Sequence, residues 1–400
     1  MTEISVENPK SSKQSDALRA DPRKARIVAV GGVIAIIVLL LAIILPSGVF
    51  VEGFGSISLA KLVDQTVSNV KDAAATLVGS GAAGMYSAVM AQYCAAFVAG
   101  GALGVVGATF QGTFRNPLAS PSTIGVISGC LFGATVYCLF LMPDMIGAGM
   151  VPMSQISQSF AELTPLEYVW AVYGRSICAL IGGLAVAATA LVVARVMGEG
   201  AMGNVVLIVV GQVFTLVLGT LASTVRYYFE ASGDVVRADL MERAQASAFT
   251  MFYGFEDLAF FAIPVAVALV IILALRSRLN LLAFSDDLAR TSGVDVDRLR
   301  FEIVLVSTVA TGLVVGCCGP IAFVGFVCPH VARRIVGPNF RYLLPLSLFV
   351  GAIFLIVVVF IGNLIDIDMD QGMNLICTSI GCIVFLIVAF RGRGGNGAWR

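Results

Sequence analysis

The sequence predicts an all-helical (all-α) integral membrane protein with ten transmembrane helices, on the basis of its composition and a series of long apolar segments. Of the 400 residues, 58% are hydrophobic and only 12% are charged, against about 45–50% and about 25% in soluble domains. A water-facing fold of this size cannot bury that apolar excess. The 25 basic and 25 acidic side chains cancel, so no net charge favours a nucleic-acid partner.

Nine segments are long enough to span a membrane, because a hydrocarbon core about 30 Å thick requires about 20 apolar residues of helix. They are 26–46, 86–112, 120–142, 168–195, 203–226, 256–276, 300–319, 342–364 and 373–391. A tenth apolar segment, 321–336, is shorter and ends at Arg333 and Arg334. We predict a short or partly re-entrant helix there, which is tolerated at membrane depth only if protein surrounds it.

The positions of the basic residues predict the orientation. If the N-terminus lies inside, 19 of the 25 Lys and Arg side chains fall on the cytoplasmic side, as the positive-inside rule expects. Ten helices then place both termini in the cytoplasm. Residues 1–25 are polar and lack periodicity, which predicts a disordered tail. Residues 26–395 form the predicted membrane domain, and 396–400 a second cytoplasmic tail.

The longest predicted cytoplasmic loop, 279–300, contains the signals of a short capped helix. Ser285 can cap its start, and Asp286 and Asp287 then lie in the first turn, where the helix dipole favours negative charge. Gly293 can end the helix in a left-handed conformation. Such a helix could bind a soluble partner; the alternative is a simple connecting loop.

Cysteine and histidine usage predicts no disulfide framework and no metal site. The nine cysteines form no C-x-x-C pair and lie within apolar runs, where thiols behave as small hydrophobes. His330 is the single histidine. At the end of a membrane helix it is more often a packing or hydrogen-bonding group than a catalyst.

Polar side chains inside two predicted spans are candidates for lining a transport path; hydrogen bonding between helices is the equally weighted alternative. They are Gln212, Thr215, Thr220, Ser223 and Thr224 in the fifth span and Asn374, Thr378 and Ser379 in the tenth. No chain of Asp, Glu, Lys or Arg crosses the spans, which argues against a proton-driven carrier.

Several motifs in a fixed order resemble the permease family of iron-siderophore, haem and vitamin B12 ABC importers (type II importers). The first is G-A-x-x-Q-G-x-F-R-N-P-L-A, from Gly107 to Ala119, which contains Gln111, Arg115, Asn116 and Pro117. R-L-N-L-L, A-R-T-S-G-V and G-P-I-A-F-V-G-F-V-C-P-H-V-A-R-R follow, the last containing Pro329 and His330. The resemblance covers about residues 90–395.

The resemblance implies a permease domain of ten helices in two inverted five-helix halves. Two such subunits would line one central path, to which the fifth and tenth helices contribute, and each would dock an ATPase subunit through loop 279–300. The ATPase-coupling residues would then be Ser285, Asp286, Asp287, Leu288, Ala289, Gly293, Arg333 and Arg334. No cofactor is expected on this chain. It has no G-x-x-x-x-G-K-[ST] phosphate loop, so ATP and Mg would bind the partner ATPase.

The outer face departs from the family pattern. An R-x-P-R segment, expected to receive acidic residues of an extracellular substrate-binding protein, is replaced here by Val89-Met90-Ala91-Gln92. We favour a heterodimer with a second permease subunit that carries the arginines. The alternative is a binding protein, lipoprotein or periplasmic, that docks by reversed or mixed charges.

Two other functional classes remain as alternatives. A secondary transporter not coupled to ATP is the nearer one. An integral membrane enzyme is disfavoured because catalysis needs convergent groups inside the bilayer. The expected location is the inner, cytoplasmic membrane of a bacterium, surrounded by membrane lipid; the sequence leaves the solute open.

Overall fold

The computed structural model describes residues 21–44, 84–141, 164–197, 201–233, 241, 255–364 and 369–392. Within these residues the chain forms helices and no strands. We number the helices α1 (Pro22–Ile44), α2 (Gly84–Thr113), α3 (Val126–Val136, continued by a π-helical turn, Tyr137–Leu141), α4 (Pro165–Met197), α5 (Ala201–Ser232), α6 (Phe255–Ala274), α7 (Arg276–Phe284), α8 (Asp286–Thr291), α9 (Val296–Cys318), α10 (Val324–Val336), α11 (Phe340–Leu364) and α12 (Met369–Gly392).

A helix lies over each of the ten predicted spans. Six helices are long and apolar enough to cross a membrane, and α6 and α7, bent by 54° where they meet, form a seventh candidate. The chain is therefore an all-helical, multi-span membrane protein, and the count of ten crossings stays a prediction. The segments 48–84, 143–167, 227–255 and 365–372, which the predicted orientation places outside the cell, lie largely outside the described residues, as do residues 1–20 and 393–400.

Helix α1 begins within the N-terminal tail that the sequence predicts for residues 1–25. The helix begins at Pro22, and the Asp21 side chain accepts a hydrogen bond from the Arg23 backbone N–H at 2.9 Å. Asp followed by Pro is a strong helix-start signal, because Asp caps free N–H groups and Pro at the first position lacks one. This local signal outweighs the polar composition of the segment.

The start of α3 also differs from its prediction at residue 120. Residues 120–125 form turns in which Thr123 Oγ1 accepts from the Ser120 backbone N–H at 2.8 Å, and Gly125 adopts a φ of 81°. Side-chain bonds to the local backbone compete with helix formation, so the helix begins only at Val126.

The break between α9 and α10 confirms that the eighth predicted helix is short. Gly319 ends α9 with a φ of 73°, and Phe323 precedes α10 with a φ of 65°. Because α10 has 13 residues, it is about 20 Å long at 1.5 Å per residue, which is less than the hydrocarbon core.

The core is centred on α2. In the most apolar part of this helix, within Met90–Thr113, 83% of the residues are buried. Its glycines allow close backbone approach to two helices, as is typical of membrane bundles. A Cβ on Gly104 would overlap the carbonyl oxygen of Ser347 in α11, and a Cβ on Gly107 would overlap that of Gly325 in α10. These contacts fix α2 against α10 and α11.

Candidate coupling and translocation sites

Helix α8 is capped at both ends as the sequence predicts. The Ser285 hydroxyl accepts a hydrogen bond from the Leu288 N–H at 3.0 Å, and Asp286 and Asp287 occupy the first turn. At the other end Gly293 has a φ of 80°. The Gly293 N–H donates to Arg290 O at 3.0 Å and the Val294 N–H to Ala289 O at 2.9 Å, the two bonds of a Schellman motif. These caps make a helix of only six residues well defined.

Asp286 holds α8 against two other helix ends. Its carboxylate accepts from Arg115 Nη2, just beyond α2, at 2.7 Å. It also accepts from Arg300 Nη2, in the first turns of α9, at 2.9 and 3.0 Å. These side chains are only 31%, 20% and 16% exposed for Arg115, Asp286 and Arg300, so solvent screens the pairs less than on an open surface. We call this arrangement the Asp286 clamp.

Part of α8 is exposed. Asp287, Arg290 and Gly293 are exposed, with Arg290 Nη2 at 3.9 Å from the Asp297 carboxylate of α9, whereas Ala289 is fully buried. Leu288 is half-buried. The predicted coupling residues therefore divide into an inward set that fixes the helix and an outward set available to a partner.

The turn after α2 places Arg115 toward α8. Arg115 has a φ of 49°, and the Asn116 N–H donates back to Gln111 O at 3.2 Å. The Asn116 Oδ1 accepts from the Leu118 N–H at 2.9 Å. The chain thus forms a hydrogen-bonded turn at Arg115 and Asn116 immediately after α2 ends.

A second polar cluster joins α2 to α10. Gln111 is fully buried; its Nε2 donates to Phe326 O at 3.2 Å and lies 3.3 Å from His330 Nδ1. Arg333 Nη2 donates to Gln111 Oε1 at 3.3 Å. His330 Nδ1 also lies 3.1 Å from Phe326 O, and Pro329 is buried on the same helix. His330 is thus a hydrogen-bonding group, and Arg333 faces α2, whereas Arg334 is exposed.

The candidate path residues lie on two helices with different neighbours. Helix α5 packs mainly against α3 and α4, and α12 against α10 and α11. On α5 one groove is lined by Thr215, Leu216, Gly219, Thr220, Ser223, Thr224 and Tyr227. Gln212 is exposed on the same helix, and its Nε2 donates to Thr123 O at 3.4 Å. On α12 Ser379 is exposed, whereas Asn374 and Thr378 are half-buried.

One buried charged residue is not among the predicted site residues. Arg175 in α4 is only 8% exposed, and its Nη2 donates to the Gly316 carbonyl at 2.8 Å near the end of α9. The last carbonyls of a helix lack intrahelical donors, and a cation is favoured there. The signal in the sequence that could have marked Arg175 as buried is its position within an apolar stretch, ten residues after Pro165.

Among the described residues no group of three or more His, Cys, Asp or Glu side chains is placed to hold a metal ion. The described polar features are a capped helix held by a carboxylate, and helices with exposed small polar side chains.

The known proteins that are similar to this chain agree in type. The iron-uptake system permease protein FeuB of Bacillus subtilis is 29% identical over 303 residues, which cover 75% of this chain and 80% of the relative. The cobalamin import system permease protein BtuC of Halobacterium salinarum is 30% identical over 64% of this chain and 60% of the relative. A solved chain described as an inward-facing metal-chelate type ABC transporter has the same fold, with a TM-score of 0.67 at 22% identity, covering 92% of this chain and 99% of that one. The model of the FecCD transport family matches residues 40–391, and the chain therefore belongs to this family of ABC transporter permeases.

Proposed function

We propose that this chain is the permease subunit of an ATP-driven importer that moves an iron-siderophore complex, or a similar haem or cobalamin chelate, into the cytoplasm. Family membership supports the class, and the names of relatives, which include iron-uptake and cobalamin permeases, support the chelate. Alternating access would be driven by ATP and Mg bound on a separate ATPase subunit. The single observation that carries the coupling role is the doubly capped, clamped helix α8 with its exposed outer face.

In this proposal α8 is the ATPase-docking helix. Asp287, Arg290 and Gly293 provide the exposed contact surface, while Ser285, Asp286 and Ala289 fix the helix to the permease. A rigid docking element transmits a partner's movement better than a mobile loop, because less of the movement is lost in local rearrangement. Loop 279–300 and the termini then lie in the cytoplasm, and ten helices form two inverted halves of a permease domain spanning 26–395.

The open face of α5 is proposed to line a path completed by a second permease subunit. Small hydroxyl side chains such as Thr220 and Ser223 are exposed there and line one groove, and polar side chains within membrane spans often mark a transport path. Asn374, Thr378 and Ser379 on α12 are proposed to contribute to the same path. We favour a heterodimer because the expected docking arginines are replaced at 89–92, so the partner would provide them for an extracellular binding protein.

Co-purification with an ABC ATPase subunit from the same organism tests the coupling role. We expect a stable complex whose ATP hydrolysis is lost when Asp287 and Arg290 are both replaced by Ala. The matched control is the double replacement of Arg298 and Glu302, an exposed ion pair of 2.9 Å on α9, by Ala. A wild-type chain that binds no ATPase would refute the importer.

A further inference from the structure

The two polar clusters meet at the end of α2. Gln111 lies near the end of the helix, and Arg115 lies in the turn that follows, which is joined to Gln111 by the hydrogen bond from the Asn116 N–H to Gln111 O at 3.2 Å. Gln111 binds α10 through Phe326 O, and Arg115 binds α8 through the Asp286 carboxylate. The end of α2 is therefore the common support of the proposed docking helix and of the short helix α10.

Phe326 connects this support to α12. Its carbonyl oxygen accepts from Gln111, while its ring lies 5.2 Å from the His330 ring and 5.0 Å from the Phe385 ring, between centroids. Phe385 belongs to α12, the helix that also carries Asn374 and Thr378. Aromatic pairs at these separations add about 0.5–1.5 kcal/mol beyond simple burial.

Backbone packing joins α2 and α10 directly. Gly107 of α2 meets the backbone of Gly325, the residue before Phe326, with no side chain between them. At the other side of α10, a Cβ on Gly381 of α12 would lie 2.5 Å from the Phe323 Cβ. Close-packed contacts of this kind transmit displacement because they leave no void to absorb it.

We propose that Phe326 is a positioning residue that transmits the movement of α8 to the path helix α12, through Arg115 and Gln111 at the end of α2. This inference rests on the proposed importer function. In it, Phe326, Phe385 and the buried Gln111 connect helix α8 to helix α12.

The test is hydrogen–deuterium exchange of the complete permease–ATPase complex in nanodiscs, compared without nucleotide and after trapping with ATP and vanadate. Peptides covering 285–293 report on α8, and peptides covering 369–392 report on α12. In the wild type we expect nucleotide to change exchange in both. In Gln111→Leu the response of α8 should persist while that of α12 falls at least about fivefold, the lower range of allosteric coupling.

The controls separate transmission from general damage. Gln92→Leu makes the same change at the other end of α2 and should leave both responses intact. Should Gln111→Leu fail to fold, Phe385→Leu interrupts the route on its far side, with Phe354→Leu on α11 as its control. An unchanged α12 response in Gln111→Leu, or in Phe385→Leu, overturns the inference. A wild-type complex in which α8 itself does not respond to nucleotide refutes the proposed function instead.

Discussion

Arg115 Nη2 lies 2.7 Å from Asp286 Oδ1 and joins residues 171 positions apart in the sequence. Arg300 approaches the same carboxylate, so one acid holds the ends of α2, α8 and α9 together. Removing the acid would leave two guanidinium groups facing each other. Because one acid serves two arginines, Asp286 is the most informative residue of the three to change.

We expect Asp286→Asn to destabilise the permease by about 1–2 kcal/mol, between the values for exposed pairs and for buried charged hydrogen bonds. Thermal unfolding in detergent measures this, together with a double-mutant cycle with Arg115→Met. Asp287→Asn, the exposed neighbour, should change stability little. A coupling energy of zero between Arg115 and Asp286 would show that the clamp contributes nothing.

The contact between α2 and α10 predicts a severe effect at Gly107. A Cβ there would overlap the Gly325 backbone, and backbone cannot move aside as a side chain can, so Gly107→Ala should cost about 3 kcal/mol or more. Gly219→Ala on α5 meets nothing within 4 Å and should be neutral or stabilising by up to about 1 kcal/mol. Equal thermal stabilities of the two variants would contradict the packing described for α2.

The open face of α5 predicts that bulk at Ser223 blocks passage without harming the fold. Ser223→Trp should retain wild-type thermal stability and ATPase binding but lose uptake. Leu221, 45% exposed, lies about 160° away around the helix, so Leu221→Trp is the matched control and should retain uptake. Full uptake by Ser223→Trp would remove this face from the path.

The buried guanidinium predicts a stability loss for Arg175→Met. The Gly316 carbonyl would lose its donor, and an unsatisfied buried acceptor costs about 1–3 kcal/mol. Arg195→Met, an exposed arginine at the end of the same helix, is the control. If both variants unfold at the wild-type temperature, Arg175 does not stabilise the end of α9.

Local signals made α8 predictable, whereas distant contacts did not follow from the sequence. Ser285 and Gly293 act on backbone groups within a few residues, so their caps could be predicted from spacing alone. The partner of Asp286 could not, because Arg115 reaches it only after the chain has folded. Arg175 was not among the predicted site residues, because a lone arginine at the edge of an apolar stretch looks the same whether it faces water or a helix end. The late start of α3 and the early start of α1 reflect side-chain bonds of Thr123 and Asp21 that hydropathy does not register.

The most direct test of the account is uptake of radioactive iron, bound to a trihydroxamate siderophore, into proteoliposomes that contain this permease with its partner permease, ATPase and binding protein. The account predicts uptake that requires ATP, stops with vanadate and is lost when the ATPase is omitted. Uptake that proceeds without the ATPase, driven only by an ion gradient, would contradict it.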